Sequence, residues 1–365
     1  MQKKVLLLGG TGAMGVYLAP ELRKRGYQVY ITSRSAHTSD DPDIIFLTGN
    51  AKNIEFLRQV LDKKFDVIVD FMIYKTEEFR GRYQELLDTG AHYIFVSSYR
   101  VYGDSRDGPI TEDSPRLLDS VADPEYLKTD EYALTKARQE DILRTAERKN
   151  WTIVRPAITY SKDRFQLGTL EAQDFVRRAL MGKPVVFPRQ MLGKQATMSW
   201  AGDVAKLITC LIENEKAMGQ TYTVSTSEHH SWKEIMGYYQ EILNLQVKIV
   251  DLAVYEKVVG GPYQIKYDRM LNRVVDNRKV LEATGMRQED FMPLKDGLRM
   301  ELENFRKDPA FRRVDPARDR KMDEAAASPL RAFVSQGRHK ITTLRRLCAE
   351  KKLLSTLRSK LNKSK

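Results

Sequence analysis

A dense run of glycines follows the first apolar segment of the chain and limits what that segment can fold into. The segment is Val5-Leu6-Leu7-Leu8, and the run after it reads Gly9-Gly10-Thr11-Gly12-Ala13-Met14-Gly15. A turn of this kind between a buried strand and a helix lets the backbone approach a diphosphate, while the helix N-terminus faces the negative charge. The run therefore predicts a dinucleotide-binding turn with contacts from Gly9, Thr11, Gly12, Ala13, Met14 and Gly15.

The first 159 residues alternate short β-rich runs with amphipathic helical stretches. The predicted strands are residues 5–8, 28–32, 44–47, 67–71, 92–97 and 151–155. The helices between them include residues 15–25, 54–63, 79–88 and 130–149. Strands that alternate with right-handed crossover helices form a parallel sheet with helices on both faces. The pattern predicts an α/β fold, a Rossmann-like doubly wound parallel sheet.

The chain divides into three predicted parts. Residues 1–159 form the dinucleotide-binding core, and residues 160–324 form a smaller substrate-binding part. This second part returns to the core once, at residues 197–226, through a helix at 200–214 and a strand at 220–224, and is helix-rich from residue 231 to residue 307. The charged and then alanine-rich stretch 315–327 is interpreted as a boundary, and residues 325–365 form a basic helical tail.

Composition excludes several classes of protein. The chain is 42% apolar and 30% charged, which is ordinary for a globular domain. Cys210 and Cys348 form no CxxC pair, so the sequence favours a reducing cytoplasm over a disulfide scaffold. His229-His230 has no acid or cysteine at ligand spacing, and no metal site is predicted. Most of the net charge of +12 resides in the tail, because residues 325–365 hold eleven bases and one acid, a net +10.

Three polar residues carry the predicted chemistry. Tyr132 and Lys136 are four residues apart, so a helix places them on one face and brings the ammonium beside the phenol ring. A free phenol has a pKa near 10, and a neighbouring positive charge favours its ionised form. Ser98 follows the fifth strand, where ligands bind in such sheets, and either hydrogen-bonds the same substrate oxygen or caps the strand end. Tyr132 is therefore predicted to be a general acid and base.

Three blocks in this order resemble a known family. They are the glycine run, the segment Ser97-Ser98-Tyr99-Arg100-Val101-Tyr102-Gly103, and the segment Tyr132-Ala133-Leu134-Thr135-Lys136. Residues 200–205 and 276–287 are also similar to later family segments. Residues 3–310 resemble the extended short-chain dehydrogenases/reductases, the NAD-dependent epimerase/dehydratase family. The resemblance implies an NAD(P)-dependent enzyme in which Ser98, Tyr132 and Lys136 are catalytic and Tyr132 and Lys136 also contact the cofactor.

The choice of cofactor depends on the end of the second strand. Family members that bind NAD usually carry an acid there for the ribose 2′-hydroxyl, whereas this chain has Ser33 and Arg34. A serine and a guanidinium suit a 2′-phosphate, which favours NADP over NAD unless Arg34 is only a solvated side chain. Asn50 stands where relatives place an aspartate against the adenine.

Departures from the family pattern narrow the activity. Dehydratases and decarboxylases carry an acid between the catalytic Ser or Thr and Val-Tyr-Gly, and this chain has Tyr99 and Arg100 there. The missing carboxylate favours an epimerase or ketoreductase. Arg100 either binds an anionic group of the substrate or is an exposed arginine. Ile158 replaces an asparagine that contacts the diphosphate in similar epimerases, and residues 196–200 differ from their histidine-containing block.

These features rank the substrates and partners. A sugar nucleotide is the leading substrate, and an NADP-dependent ketoreductase acting on a non-nucleotide small molecule is the alternative. An RNA-binding protein on a recruited Rossmann fold ranks lower, since it leaves Ser98, Tyr132 and Lys136 unexplained. The resemblance also implies a homodimer formed through residues 76–88 and 130–149.

The basic tail leads to a separate hypothesis. Apolar residues occur at helical spacing from residue 341 to residue 361, with basic residues between them. A basic amphipathic helix binds an anionic membrane surface, so the tail is predicted to make peripheral membrane contact. A solvated extension and a helix docked on the body of this protein are the alternatives.

Overall fold

The computed structural model describes residues 2–327 of the chain, apart from residues 106, 213, 312 and 313. Short strands run through the whole of this part. In chain order they are β1 (Lys4–Leu8), β2 (Gln28–Ser33), β3 (Ile44–Thr48), β4 (Val67–Asp70), β5 (His92–Val96), β6 (Trp151–Val154), β7 (Ile158–Tyr160), β8 (Gln166–Leu167), β9 (Leu170–Glu171), β10 (Val185–Pro188), β11 (Gln195–Trp200), β12 (Gln220–Tyr222), β13 (His229–Ser231) and β14 (Val247–Val250).

Helices connect these strands and cover them. In chain order they are α1 (Gly15–Lys24), α2 (Ile54–Leu61), α3 (Thr76–Arg80), α4 (Tyr83–Asp88), α5 (Leu117–Ser120), α6 (Pro124–Leu127), α7 (Tyr132–Thr145), α8 (Ala172–Leu180), α9 (Ala201–Leu211), α10 (Trp232–Leu243), α11 (Leu252–Val259), α12 (Pro262–Gln264), α13 (Arg278–Thr284), α14 (Leu294–Phe305) and α15 (Pro316–Ala326).

A parallel sheet of seven strands forms the centre of the described chain. Its order is β12-β6-β5-β4-β1-β2-β3, and every neighbouring pair is parallel. The chain runs outward from β1 through β2 to β3 and then returns to β4 on the other side. This reversal leaves a crevice outside the carboxyl ends of β1 and β4, which is where ligands bind in doubly wound sheets. The predicted Rossmann-like fold class is confirmed.

Apolar side chains bury both faces of the sheet. Helices α1, α9 and α13 cover one face, with Leu18, Leu22 and Leu207 fully buried there. Helices α2, α3, α4 and α7 cover the other face, with Leu57 and Phe79 fully buried. The central strands β1 and β4 are nearly continuous apolar runs because they are buried on both sides.

The residues after β6 form smaller sheets and a second apolar core. Strand β7 pairs with β11, and β10 pairs with β14. The chain returns to the main sheet once, because β12 pairs with β6 from Gln220↔Thr152 to Tyr222↔Val154. Helices α8, α10, α11 and α14 enclose a core around Phe175 and Trp232. This part lies over the carboxyl ends of the main strands and supplies one wall of the cleft described below.

The predicted helix at residues 79–88 is two helices in the structure. Helix α3 ends at Arg80, and Arg82 has a non-helical φ of −136°. The buried guanidinium of Arg82 donates a hydrogen bond to the carbonyl oxygen of Glu78 at 2.6 Å, the oxygen that the Arg82 N–H would meet in a continuous helix. It also donates to the carbonyls of Ala51 and Lys52. A hydrogen bond from the Arg82 side chain therefore replaces the backbone hydrogen bond that would continue α3 into α4.

The stretch interpreted as a boundary at residues 315–327 contains helix α15. Its side chains Asp319 and Asp323 pair with the buried Arg178 of α8, both at 2.6 Å. The division at residues 324 and 325 therefore falls inside a packed helix, which ends at Ala326. The predicted tail helix and Cys348 lie outside the described residues. Among the described helices, none has the length and apolarity needed to cross a bilayer.

Candidate active site

Gly9 makes the turn that follows β1. Its φ of 71° lies in the left-handed region, which a side chain would strain. Its N–H donates to the Oγ1 of Thr32 on the neighbouring strand at 2.9 Å. A Cβ atom at this position would also lie 2.8 Å from the Sδ of Met72. The turn is therefore fixed by β1, β2 and the end of β4 together.

Gly12 and Gly15 serve different purposes in the same turn. A Cβ at Gly15 would lie 2.1 Å from the carbonyl oxygen of Gly10. Glycine at position 15 therefore lets the start of helix α1 pack against the backbone of the same turn. A Cβ at Gly12 would meet only the carbonyl oxygen of Gly9, at 4.0 Å, so the backbone there faces open space. Helix α1 begins at Gly15 and has no acid in its first turn. An open backbone at a helix N-terminus without an acid fits a dinucleotide diphosphate.

One cleft of about 430 Å³ lies at the carboxyl ends of the central strands. Of the predicted site residues, this cleft brings together Gly9, Gly12, Ala13, Met14, Ser98, Arg100, Tyr132 and Lys136. It does not include Thr11, Gly15, Ser33, Arg34 or Asn50. Thr11 lines an adjoining cavity of about 250 Å³, together with Gly12 and Ala13. The glycine turn and the three proposed catalytic side chains therefore face a common space.

Tyr132 is the first residue of α7 and projects into the cleft. Burial raises the pKa of its phenol, and the charges of Arg100 and Arg164, followed by a hydrogen bond with Ser98, oppose that rise. Ser98 also accepts a hydrogen bond from the Arg100 N–H at 3.2 Å. The phenol is thus held beside the Ser98 hydroxyl, in the arrangement that the sequence predicted for a shared substrate oxygen.

The position of Lys136 differs from the sequence prediction. Its Nζ donates to the carbonyl oxygen of Met72 at 3.3 Å and lies 4.5 Å from the centre of the Phe95 ring. Burial lowers the pKa of this amine to about 8, and the charge of Asp70 opposes the change. The carbonyl and the buried carboxylate attract the ammonium, so Arg100 rather than Lys136 is the leading positive charge acting on Tyr132.

Asp70 is a buried residue of the site that the sequence reasoning missed. It ends β4, and its Oδ1 accepts the N–H of Met72 at 2.9 Å. Its Oδ2 accepts the hydroxyl of Tyr93 at 2.8 Å. Burial raises the pKa of the carboxyl, and the hydrogen bonds from Met72 and Tyr93, followed by the charge of Lys136, oppose that rise. The signal was present in the sequence, because Asp70 is an acid at the carboxyl end of a buried central strand, where doubly wound sheets place their ligand crevice.

Arg100 is neither an exposed arginine nor a free anchor for the substrate. Its guanidinium pairs with Glu131 at 2.5 Å and with Asp268 at 3.2 Å. The same guanidinium lies 5.1 Å from the centre of the Tyr132 ring. Because the guanidinium is already paired with two carboxylates, the predicted role in binding an anionic substrate group is not supported. Its position instead stabilises the ionised phenol of Tyr132.

Ser33, Arg34 and Asn50 lie at the far edge of the sheet, where β2 and β3 end. The Oγ of Ser33 accepts the N–H of Ser35 at 3.2 Å, and the Oδ1 of Asn50 accepts the N–H of Lys52 at 3.1 Å. Arg34 is exposed, and its guanidinium contacts no acid or hydrogen-bond acceptor among the described residues. The guanidinium of Arg34 is therefore accessible to a ligand. Its preference for NADP over NAD stays a prediction.

Comparisons with known proteins identify the same nucleotide-binding unit. A family model described as NAD(P)H-binding matches residues 9–182. The chain is 26% identical over 243 residues to the chloroplast stem-loop binding protein of 41 kDa b from Arabidopsis thaliana. That match covers 62% of this chain and 60%, less than two thirds, of the Arabidopsis protein. The chain is also 25% identical over 317 residues to a UDP-N-acetyl-alpha-D-glucosaminuronate decarboxylase from Bacillus cytotoxicus, covering 77% of this chain and 92% of that one.

Solved structures show the same fold. A dTDP-glucose 4,6-dehydratase from Bacillus anthracis in complex with NAD has a TM-score of 0.66 at 17% identity, over 84% of this chain and 97% of that one. A UDP-glucose 4-epimerase from Thermus thermophilus in complex with NAD has a TM-score of 0.62 at 18% identity, over 84% and 99%. At these identities the likeness establishes architecture, so the choice of reaction rests on the side chains of the cleft.

Proposed function

We propose that this chain, which belongs to the NAD-dependent epimerase/dehydratase enzymes of the short-chain dehydrogenase/reductase superfamily, oxidises and reduces a carbinol carbon of a sugar nucleotide. Its membership confirms the resemblance seen in the sequence and the expectation of an NAD(P)-binding enzyme. The proposed reaction is epimerisation or reversible ketone reduction, with Tyr132 as the acid and base.

One observation carries this proposal. Ser98, Tyr132 and Lys136 line the same 430 Å³ cleft as the open backbone of Gly12. A carbinol carbon placed in that cleft would lie near both a dinucleotide held by the glycine turn and the phenol of Tyr132. Holding the substrate and the catalytic groups in one cleft lowers the entropic part of the activation barrier.

Tyr132 and Ser98 act on the substrate oxygen in the proposed reaction, and Arg100 and the glycine turn support them. A bound nicotinamide dinucleotide would supply the acceptor for a hydride leaving the carbinol carbon and the donor for its return. Tyr132 takes the hydroxyl proton as the carbonyl forms and gives it back on reduction. Ser98 donates a hydrogen bond to the same substrate oxygen. Arg100 stabilises the ionised phenol through its charge, and the glycine turn with Thr11, Ala13 and Met14 holds the diphosphate.

The substrate class is supported by relatives and limited by the cleft. The similar Bacillus cytotoxicus protein is a decarboxylase of a UDP-linked sugar acid. In this chain the two residues after Ser98 are Tyr99 and Arg100, and Arg100 is ion-paired. No carboxylate therefore stands where a dehydratase of this family would use one, which favours epimerisation or reduction. A non-nucleotide ketone reduced with NADP is the alternative substrate.

A substrate panel tests the proposed activity. The protein as purified would first be analysed by mass spectrometry for bound NADP, NAD or sugar nucleotide. It would then be incubated with UDP-hexoses, dTDP-hexoses and simple ketones, with either dinucleotide added, and the products separated by chromatography. Interconversion of hexose epimers or oxidation of NADPH supports the proposal. Protein that binds neither dinucleotide at millimolar concentration contradicts it.

RNA binding is a second candidate because a similar protein is a stem-loop binding protein. The match to that Arabidopsis protein covers 62% of this chain. Phosphate contacts from the eleven bases of residues 325–365 would give affinity that falls steeply with salt. Binding of a stem-loop RNA would be measured at two salt concentrations for the full chain and for a chain ending at Ala327. Loss of salt-dependent binding in the shorter chain supports this candidate over the enzyme.

A homodimer and a peripheral membrane contact are two further proposals, and each has its own measurement. A homodimer through residues 76–88 and 130–149 predicts a doubled mass in light scattering at micromolar concentration, and a monomeric mass contradicts it. The exposed side chains on the helices in these segments, including Glu77, Arg80 and Gln84, are polar. Membrane contact by residues 328–365 predicts co-sedimentation with anionic vesicles that high salt weakens. Co-sedimentation that is unchanged in a chain ending at Ala327 contradicts membrane contact.

A further inference from the structure

Three arginine side chains line the main cleft, and two of them are ion-paired with acids, sharing Asp268 between them. Arg100 pairs with Glu131 and Asp268. Arg269 contacts the Oδ2 of Asp268, its neighbour in the sequence. The third, Arg164, lines the cleft and has no acidic partner within 4.0 Å in the part of the chain that the structure describes. The paired arginines are therefore part of the protein's own charge network, whereas Arg164 is available to a ligand.

Arg164 is half-buried and fixed through its backbone. Its N–H donates to the carbonyl of Ser161 at 3.1 Å, and its carbonyl accepts the Ser161 N–H at 3.0 Å. These two bonds close a turn. Among the described residues, no carboxylate oxygen lies within 4.0 Å of the Arg164 guanidinium, and the guanidinium makes no hydrogen bond. The fold thus fixes the backbone of Arg164 beside the cleft and leaves its charge unpaired among the described residues.

The acids nearest to Arg164 along the cavity walls do not take this role. Glu171 lines both the main cleft and the adjoining cavity. Its Oε1 accepts a hydrogen bond from the side chain of Gln166 instead. Asp163 lines only the adjoining cavity and is exposed to solvent. A half-buried guanidinium that is left unpaired by its own protein is stabilised when an anion binds.

The position of Arg164 places that anion between the two halves of the site. Arg164 lines the 430 Å³ cleft together with Tyr132. It also lines the 250 Å³ cavity, together with Thr11 and Gly12 of the glycine turn. Its charge acts directly on the phenol of Tyr132. A group bound to Arg164 would therefore lie beside the reacting carbon and within reach of the dinucleotide.

We infer that Arg164 binds an oxyanion, a phosphate or carboxylate group of the molecule that occupies the cleft next to Tyr132. The planar guanidinium presents paired N–H donors that match either group. This inference rests on the proposed function and adds to it a specificity-determining residue and a required negative charge. The oxyanion belongs either to the cofactor or to the substrate, and the two sources separate experimentally.

Binding measurements on three variants test the inference. Arg164→Gln removes the charge, Arg164→Lys keeps it without the planar fork, and Lys162→Gln removes one charge from the same turn without touching either cavity. NAD and NADP would be titrated into free protein by calorimetry, and UDP, UDP-glucose and UDP-glucuronate into dinucleotide-saturated protein. We expect Arg164→Gln to weaken one set of ligands by about tenfold or more, Arg164→Lys to weaken it less, and Lys162→Gln to leave it unchanged.

Each outcome has one meaning. Loss confined to the dinucleotides assigns the oxyanion to the cofactor, and loss confined to the UDP ligands assigns it to the substrate. A larger loss for UDP-glucuronate than for UDP-glucose identifies a carboxylate. Equal affinities in Arg164→Gln and the unchanged protein overturn the inference and leave the proposed function standing. An unchanged protein that binds none of the five ligands overturns both.

A labelling measurement covers the case in which Arg164→Gln does not fold. Phenylglyoxal reacts with accessible arginines, and peptide mass spectrometry locates the product in unchanged protein. We expect Arg164 to react in the free protein and to be protected by the ligand that binds it, whereas Arg34 serves as an exposed reference. Equal labelling of Arg164 with and without every one of the five ligands overturns the inference.

Discussion

The inner cleft and the outer edge of the same sheet are built in opposite ways. In the inner cleft, Tyr132 and Lys136 are enclosed, and each has hydrogen-bond or charge partners from distant segments. At the outer edge, Arg34 and Asn50 are exposed and contact at most their sequence neighbours. Under the proposed roles, the chemistry would depend on residues fixed by packing, whereas cofactor choice would depend on side chains that can change without disturbing the core.

The largest effect is expected from removing the phenol oxygen in the inner cleft. Tyr132→Phe keeps the ring but removes the group that exchanges the proton, so turnover should fall by roughly a hundredfold or more. The measurement is kcat for the substrate found by the panel, with dinucleotide affinity measured by titration. The dinucleotide should still bind within a few-fold, because the glycine turn is unchanged.

A conservative change at the neighbouring ring is the control. Tyr99 is fully buried, so Tyr99→Phe removes a hydroxyl of the same kind from the same wall without removing the proposed acid. Turnover by Tyr132→Phe that equals turnover by Tyr99→Phe would show that the inner cleft does not perform the reaction. The proposed division between a catalytic inner cleft and a cofactor-selecting outer edge would then fail as well.

A smaller effect, on affinity alone, is expected at the outer edge. Arg34→Ala removes a guanidinium suited to the 2′-phosphate, which should weaken NADP by about tenfold and change NAD little. The measurement is a fluorescence titration of both dinucleotides. Arg80→Ala removes a charge from an exposed helix and serves as the control. Equal losses of NADP and NAD would show that Arg34 does not read the 2′-phosphate.

The sequence predicted the sheet well because local pattern determines it. Buried parallel strands are short apolar runs, and predicted strands such as 28–32 and 44–47 end within one residue of β2 and β3. The glycine turn followed from its conformation and its place after β1. The break between α3 and α4 was missed because it depends on the side chain of Arg82 reaching carbonyls of Ala51 and Lys52, some thirty residues earlier.

The sequence named several residues that line the cleft, but it predicted their contacts only in part. Ser98 and Tyr132 lie together as the sequence indicated. Arg100 was misread because one of its partners, Asp268, is remote in the sequence and reaches the cleft only through the second part of the chain. Arg164 carries no motif of its own, and its significance is that no carboxylate oxygen of the described residues lies within 4.0 Å of its guanidinium. Such an absence is visible only once the walls of the cleft are assembled.

The smallest effect is expected at Asp70, behind the catalytic side chains. Burial lowers the pKa of Lys136 to about 8, and the negative charge of Asp70 opposes this change. Asp70→Asn keeps the shape but removes the charge, so the pKa of Lys136 should fall further and its ammonium should lose the proton at lower pH. If turnover needs the ammonium, the alkaline decline of kcat/KM should move down by roughly half to one pH unit.

A pH profile of kcat/KM measures this shift, and Asp66→Asn is the matched control. Asp66 lies just before β4, at the end opposite Asp70, is exposed and accepts the N–H of Lys4 at 2.7 Å. Its loss removes one negative charge far from Lys136 and should leave the profile in place. An alkaline limb that stays fixed in Asp70→Asn would show that the ammonium of Lys136 does not set it. An upward move would contradict the sign of the charge interaction, because loss of a neighbouring carboxylate makes an amine easier to deprotonate.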